Sequence, residues 1–285
     1  MCLIALVYRT LPHTPLLVLA NRDEAFARPT DPLARWADTP MVLGGRDRQA
    51  GGGWLAVSEQ GRFAAVTNVR AGQPLPAEKS RGALVAQWVQ GTDTVAQFAQ
   101  QLAKSRHAYG GFNLIFGTLA DLFCYHSPHG SLQPLASGVT VICNGAPDAP
   151  WFKVERLRAQ CAALSTPLPP EDQLLDWLTD PTPAPCEALP DTGVGHALEK
   201  RLSPIFIAEA HYGTRASTLL SCRADGALAM VERTPRGQQA RRYFIACEEE
   251  LLALKGQEAP ELPAGPYTAA LPTIARLDAA LLREL

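Results

Sequence analysis

Cys2 stands directly behind Met1 and opens an unbroken apolar, β-prone run, Cys2-Leu3-Ile4-Ala5-Leu6-Val7-Tyr8. A run of this kind predicts a strand buried on both faces, because a half-exposed strand would alternate with polar residues. Removal of Met1 would give Cys2 a thiol and a free α-amine on one residue. Such an amine titrates near ~7.7–8 in a model chain, so the residue could supply its own general base, as N-terminal threonine nucleophiles do. The plainer reading is a small apolar core residue, the usual fate of an unpaired cysteine. Thiol chemistry also needs an activating environment.

Three further stretches could supply that environment. Asn21-Arg22-Asp23-Glu24 places four polar residues at the mouth of the next apolar run, Leu16 to Ala20, where they must be solvated or paired. Neighbouring strands lie only ~4.8 Å apart, so Asp23 could orient the amine of Cys2 and Arg22 could favour the thiolate. An ordinary solvated strand end is the alternative. Asn68 closes the run Arg62 to Thr67, and Asn144 follows Gly138 to Cys143. A carboxamide at a strand end is a suitable oxyanion donor, although each asparagine could equally cap a strand or form an Asn-Gly turn.

Composition excludes several classes. The chain has 285 residues, 47% of them hydrophobic and 19% charged, with a net charge of -2. That balance gives no electrostatic case for nucleic acid. No apolar run approaches the ~18 residues of a membrane span. The opening run has no basic residues before it and is too short for a secretory signal, so a cytoplasmic protein is expected. The seven cysteines are odd in number, with no C-x-x-C pair, which argues against a disulfide framework or a four-cysteine metal site. His126 and His129 flank Pro128 ahead of Gly130 and predict a hairpin tip rather than a metal site.

The elements that must position these residues follow from pattern. The spacing predicts a Pro12 to Pro15 turn, then a hairpin of Trp54 to Ser58 and Arg62 to Asn68 turning at Gly61. Gly44-Gly45 and Gly51-Gly52-Gly53 predict close backbone approach or positive-φ turns, not a phosphate loop, since no Gly-Lys-Ser/Thr follows. Helices are predicted over about 81–90, capped by Ser80, and over about 92–104. Strands follow at Phe112 to Gly117, Leu122 to His126 and Gly138 to Cys143, then a helix over 151–163. A Pro-rich insertion at about 166–190 carries a short helix at Glu171 to Leu178. Three strands (Ala216 to Cys222, Leu228 to Arg233, Arg242 to Cys247) precede helices at Glu248 to Leu254 and at about 273–285. Strands in hairpin runs with helices in separate blocks predict an α+β layered fold of two mostly antiparallel sheets.

These motifs resemble the NRDE family, also called the transport and Golgi organisation 2 family. The resemblance rests on Met1-Cys2, Asn21-Arg22-Asp23-Glu24, Gly44-Gly45-Arg46-Asp47, Ala50-Gly51-Gly52-Gly53-Trp54-Leu55, Thr67-Asn68, Ser80-Arg81-Gly82, Gly111-Phe112-Asn113-Leu114, Asn144 and Tyr212-Gly213-Thr214-Arg215. More distantly the chain is similar to cysteine N-terminal-nucleophile hydrolases of the bile salt hydrolase and penicillin acylase type. That likeness implies a single four-layer αββα domain over 1–285 and a non-peptide amide hydrolase. Cys2 would be the nucleophile, Asp23 the aspartate near the amine, Asn68 and Asn144 the oxyanion and amine-positioning asparagines, and Arg215 the late arginine. One departure is that the early arginine is Arg22, where those hydrolases would have it at Ala20. The resemblance also implies an alternative, a haem-trafficking chaperone or a protein handling acyl-CoA or lipid. Haem ligands would then come from Cys2, His107, His126 or His211. The expected partners are small molecules: an N-acyl compound, haem or acyl-CoA.

Overall fold

A computed structural model describes residues 2–72, 77–147, 149–234 and 240–246. The first apolar run forms β1 (Cys2–Leu11), and the second forms β2 (Thr14–Ala25). With β10 (Gly138–Ile142), β11 (Tyr212–Cys222), β12 (Ala227–Arg233) and β13 (Ala240–Ala246) they build a sheet in the order β10-β1-β2-β11-β12-β13. A second sheet takes β3 (Thr30–Trp36), β4 (Thr39–Asp47), β5 (Leu55–Ser58), β6 (Arg62–Asn68), β7 (Phe112–Thr118), β8 (Leu122–His126) and β9 (Ser131–Pro134) in sequence order. All pairings between these strands are antiparallel.

The unbroken apolarity of β1 and β2 is explained by a core on each face, two of the three cores stacked in the molecule. Side chains alternate across a strand, so Ile4, Leu6, Leu16 and Val18 face the second sheet and meet Val57, Phe63 and Ile115. Leu3, Ala5, Leu17 and Leu19 face the other way. There they meet α3 (Phe152–Ala162), through Val154 and Leu157, and α4 (Glu171–Asp176), through Leu174 and Leu175. On the far side of the second sheet, Phe112, Leu114 and Phe116 pack under α1 (Gly82–Gln90) and α2 (Val95–Ser105). The result is the four-layer αββα sandwich. Helix α2 starts behind a capping box, with Thr94 and Gln97 satisfying each other's backbone groups, a local device readable in sequence.

Several elements differ from expectation. Asn21 to Glu24 lie inside β2, not at its mouth, because β11 extends beside them and pairs Asp23 with Thr214 and Glu24 with Gly213. Gly44 and Gly45 fall within a strand, β4, where the close backbone approach expected of them is found. Gly44 lets β5 approach so closely that a Cβ would sit 2.7 Å from the Leu55 carbonyl oxygen. Gly51 alone of the glycine-rich group needs left-handed backbone, at φ 71°. The N-cap of α1 is Arg81, with Ser80 Oγ accepting from the Gly82 N–H at 3.3 Å. Strands β3, β4 and β9 and the short helix α5 (His196–Arg201) were not foreseen. Within 166–190, Leu174, Leu175 and Leu178 are fully buried beneath the first sheet. Cys247 and the expected helices at Glu248 to Leu254 and about 273–285 lie outside the described residues.

Candidate functional site

Register dictates what stands beside Cys2. Cys2 pairs directly with Arg22 across β1 and β2, so the two side chains share the face toward the second sheet. Arg22 is 5% exposed; its guanidinium lies 4.2 Å over the Trp54 ring and Nη1 donates to Thr30 Oγ1 at 3.2 Å. Trp54 in turn dictates Gly45, where a Cβ would come within 1.9 Å of the indole. The glycines of this motif therefore make room for a Trp–Arg stack, worth ~2 kcal/mol where it is desolvated.

Asp23 alternates to the helix side of β2. Its Oδ1 accepts from Thr214 Oγ1 at 2.7 Å. Burial raises its pKa above the usual carboxylate range, opposed by the Lys153 ammonium on α3 and by the Thr214 hydrogen bond. The Cys2 thiol is also pushed up by burial, with Asp23 adding to the shift and Arg22 opposing it. Neighbouring Asn21 is fully committed: its Nδ2 donates to the carbonyls of Leu178 and Ile205, at 2.8 and 2.9 Å, and its Oδ1 accepts from Ser217.

Cys2, Arg22, Asp23 and Asn68 line one open cavity of about 330 Å³, together with Glu24, Arg28, Asp47, Trp54 and the segment Lys79-Ser80-Arg81-Gly82. Four of the six expected site residues are thus brought together. Asn144 stands behind the wall. It is wholly buried, its Nδ2 donates to the backbone carbonyl of Asn68 at 2.9 Å, and its own carbonyl accepts from Arg70 N at 2.8 Å. Arg215 is the extra residue of a β-bulge, since Thr214 pairs with Asp23 and Ala216 with Arg22. A bulge re-aims its residue. Here Arg215 Nη1 reaches the carbonyls of Ala25 and Arg28, and the side chain lines an adjoining cavity of about 220 Å³ that shares Arg22 and Trp54 with the first.

Sequence reasoning gave no role to the residues that hold this wall. Asn113 is 1% exposed. Its Nδ2 lies 3.1 Å from Thr67 Oγ1, 3.3 Å from the Cys143 carbonyl and 2.9 Å from the Gly145 carbonyl, so it ties the neighbours of Asn68 to those of Asn144. Because Nδ2 faces acceptors, Oδ1 faces His126, and His126 Nδ1 donates to it at 2.6 Å. The buried ion pair Arg70–Glu199, at 2.6 Å, braces the same strand end. The signal available was Gly111-Phe112-Asn113, an asparagine inside an apolar strand.

None of His107, His126 and His211 lines the Cys2 cavity. His126 is buried in the Asn113 network, and His107 and His211 are exposed. Among the described residues no group of three or more metal-binding side chains occurs, and no helix is long and apolar enough to cross a membrane.

The class defined by these features is an αββα sandwich with a cysteine-bearing cavity at the end of its central strands. A family model described as Transport and Golgi organisation 2 matches residues 1–236, and the chain belongs to that family. The Transport and Golgi organization protein 2 homolog of Bos taurus is 30% identical over 253 residues, covering 82% of this chain and 91% of that protein. The Mus musculus homolog is 28% identical over 246 residues, covering 80% and 89%. Among solved structures, a mutant of the conjugated bile acid hydrolase from Clostridium perfringens overlaps 93% of this chain and 97% of its own, at 13% identity and a TM-score of 0.44.

Proposed function

We propose that this protein hydrolyses a non-peptide amide (N-acyl) bond with Cys2 as nucleophile. The observation that supports the reading best is the convergence of Cys2, Arg22, Asp23 and Asn68 on one cavity. Removal of Met1 frees the α-amine of Cys2, which takes the thiol proton. That step matters because burial holds the thiol protonated and an internal base offsets it. The thiolate attacks the substrate carbonyl, and the Asn68 carboxamide donates to the oxyanion. Asn144 acts through Asn68, by fixing its carbonyl. Asp23 holds the amine, Arg22 favours the thiolate, and Arg215 shapes the adjoining chamber. The leaving amine takes the proton from the α-ammonium. Water then cleaves the thioester.

The cavity suits haem poorly. Of the candidate ligands only Cys2 borders it, and its lining holds Arg22, Arg28, Arg81, Glu24 and Asp47, whereas a porphyrin face calls for apolar walls. Lipid handling without turnover is a second reading that the polar lining does not favour, since an acyl tail calls for apolar walls. The test is release of a primary amine from a panel of N-acyl substrates by protein whose intact mass shows Met1 removed. Cys2→Ala is expected to abolish release while leaving the melting temperature unchanged; undiminished release by that variant refutes the mechanism.

A further inference from the structure

Three guanidiniums line the Cys2 cavity, and they are not equivalent. Arg28 is neutralised by Asp47 at 2.7 Å and by Glu24 at 3.8 Å. Arg22 lies over Trp54 with Glu24 at 3.9 Å. Arg81 forms no ion pair among the described residues. Its Nε donates to the carbonyls of Gly110 and Gly111, at 3.0 and 2.9 Å, which anchors the inner edge of the fork and leaves the terminal amines as donors. Burial lowers its pKa, with Glu24 acting on it only at longer range. A partly buried guanidinium with terminal donors facing a cavity and no carboxylate beside it favours an anion there.

Gly110, with Gly52, Gly53 and Gly82 of the quoted motifs, builds the cradle that holds this group. A Cβ on Gly110 would lie 2.2 Å from Arg81 Nη2, so a side chain there would push the fork aside. Gly52 allows its strand-end loop to abut α1, since a Cβ would lie 2.3 Å from the Gly82 carbonyl carbon, and Gly53 N donates to that residue's oxygen. Arg81 also caps α1, whose first turn carries no acidic residue, so the positive end of the helix dipole adds to the guanidinium. Ser80 lines the cavity on the same segment.

We infer that Arg81 is the receptor for an oxyanion on the ligand, so the compound entering the Cys2 cavity is an acyl compound that carries a carboxylate or a similar anionic group. This rests on the hydrolase reading for the acyl bond, but the anion site itself does not. The cavity of about 330 Å³ limits the ligand to a small one or to one end of a larger one.

The test compares two alkylating agents of equal size, anionic iodoacetate and neutral iodoacetamide, with Cys2 modification read by peptide mass spectrometry. The rate ratio of iodoacetate to iodoacetamide at Cys2 is expected to exceed that at glutathione at least fivefold. It is expected to fall to the glutathione value in Arg81→Met and to recover in part in Arg81→Lys. Gly110→Ala, which displaces only the far end of the arginine, is expected to lower the ratio as well and serves if Arg81→Met does not fold. A wild-type ratio no higher than that of glutathione overturns the proposal, and so does a high ratio that neither substitution lowers. Absence of amine release with the anion preference intact would sink only the hydrolase reading. Turnover with a flat ratio would sink only the anion receptor.

Discussion

Two buried polar clusters meet at Asn68 and differ in how their valences are used. On one side, Asn113, His126, Thr67, Asn144, Arg70 and Glu199 turn their donors and acceptors on one another. On the other, Cys2, Arg22 and Arg81 border an open cavity. Buried polar groups are tolerated when satisfied, so the first cluster is a scaffold that joins the ends of β6, β7 and β10. The second keeps unspent chemistry where a ligand can reach it. The difference predicts that substitutions in the closed cluster lower stability, and that those in the open one lower activity without unfolding the protein.

The largest effect is expected where the closed cluster holds a charge. Glu199 is 2% exposed; it accepts from Arg70 at 2.6 Å and from the Thr192 N–H at 2.9 Å. Glu199→Ala leaves Arg70 without its carboxylate and is expected to cost about 3–5 kcal/mol in chemical denaturation. A loss below 1 kcal/mol would show that the brace is not structural. On the open side, Asn68→Ala is expected to lower kcat by about 10²–10³, equivalent to about 2.7–4 kcal/mol, with little change in the unfolding midpoint. Equal losses of stability and of kcat would erase the distinction. Asn113→Leu tests the middle of the range. It strands the carbonyls of Cys143 and Gly145 and the donor of His126, at about 1–3 kcal/mol for an orphaned buried group, and lowers kcat only through Asn68.

The distinction also tracks what was legible in the sequence. The open cluster was largely visible, because a cysteine at the start of an apolar run and Asn21-Arg22-Asp23-Glu24 break the pattern locally. The layers were visible too, since strands apolar on both faces must be covered twice. The closed cluster was not. Arg70 and Glu199 are separated by 129 positions, and nothing near either announces the other. Inclusion of Asp23 within β2 depended on pairing with Thr214, 191 positions away. Strand β3 was missed because Pro32 and partial exposure blur its alternation, and β4 because Gly44 and Gly45 are poor strand formers that Trp54 and the approach of β5 require here. Arg215 was visible as a residue but not as a bulge, so its turn toward the adjoining chamber could not be foreseen.

The smallest effect concerns the protonation of Cys2 and sharpens the same contrast. Burial raises the thiol pKa above its ordinary value of 9.0. The reactive thiolate is therefore a minor species at neutral pH, and its fraction grows with alkalinity. Alkylation by iodoacetamide in protein that retains Met1 is expected to rise about tenfold per pH unit up to pH ~9 without levelling. In protein with Met1 removed, the α-amine can take the thiol proton, and the profile is expected to bend near ~7.7–8, where such an amine titrates. Cys161 gives the control from a closed environment: burial among apolar side chains pushes its thiol up to about 12, and removing Met1 should leave its reactivity unchanged. A Cys2 profile that is the same with and without Met1 would mean that the amine does not act on the sulfur, and Cys2 would then belong with the closed, structural thiols.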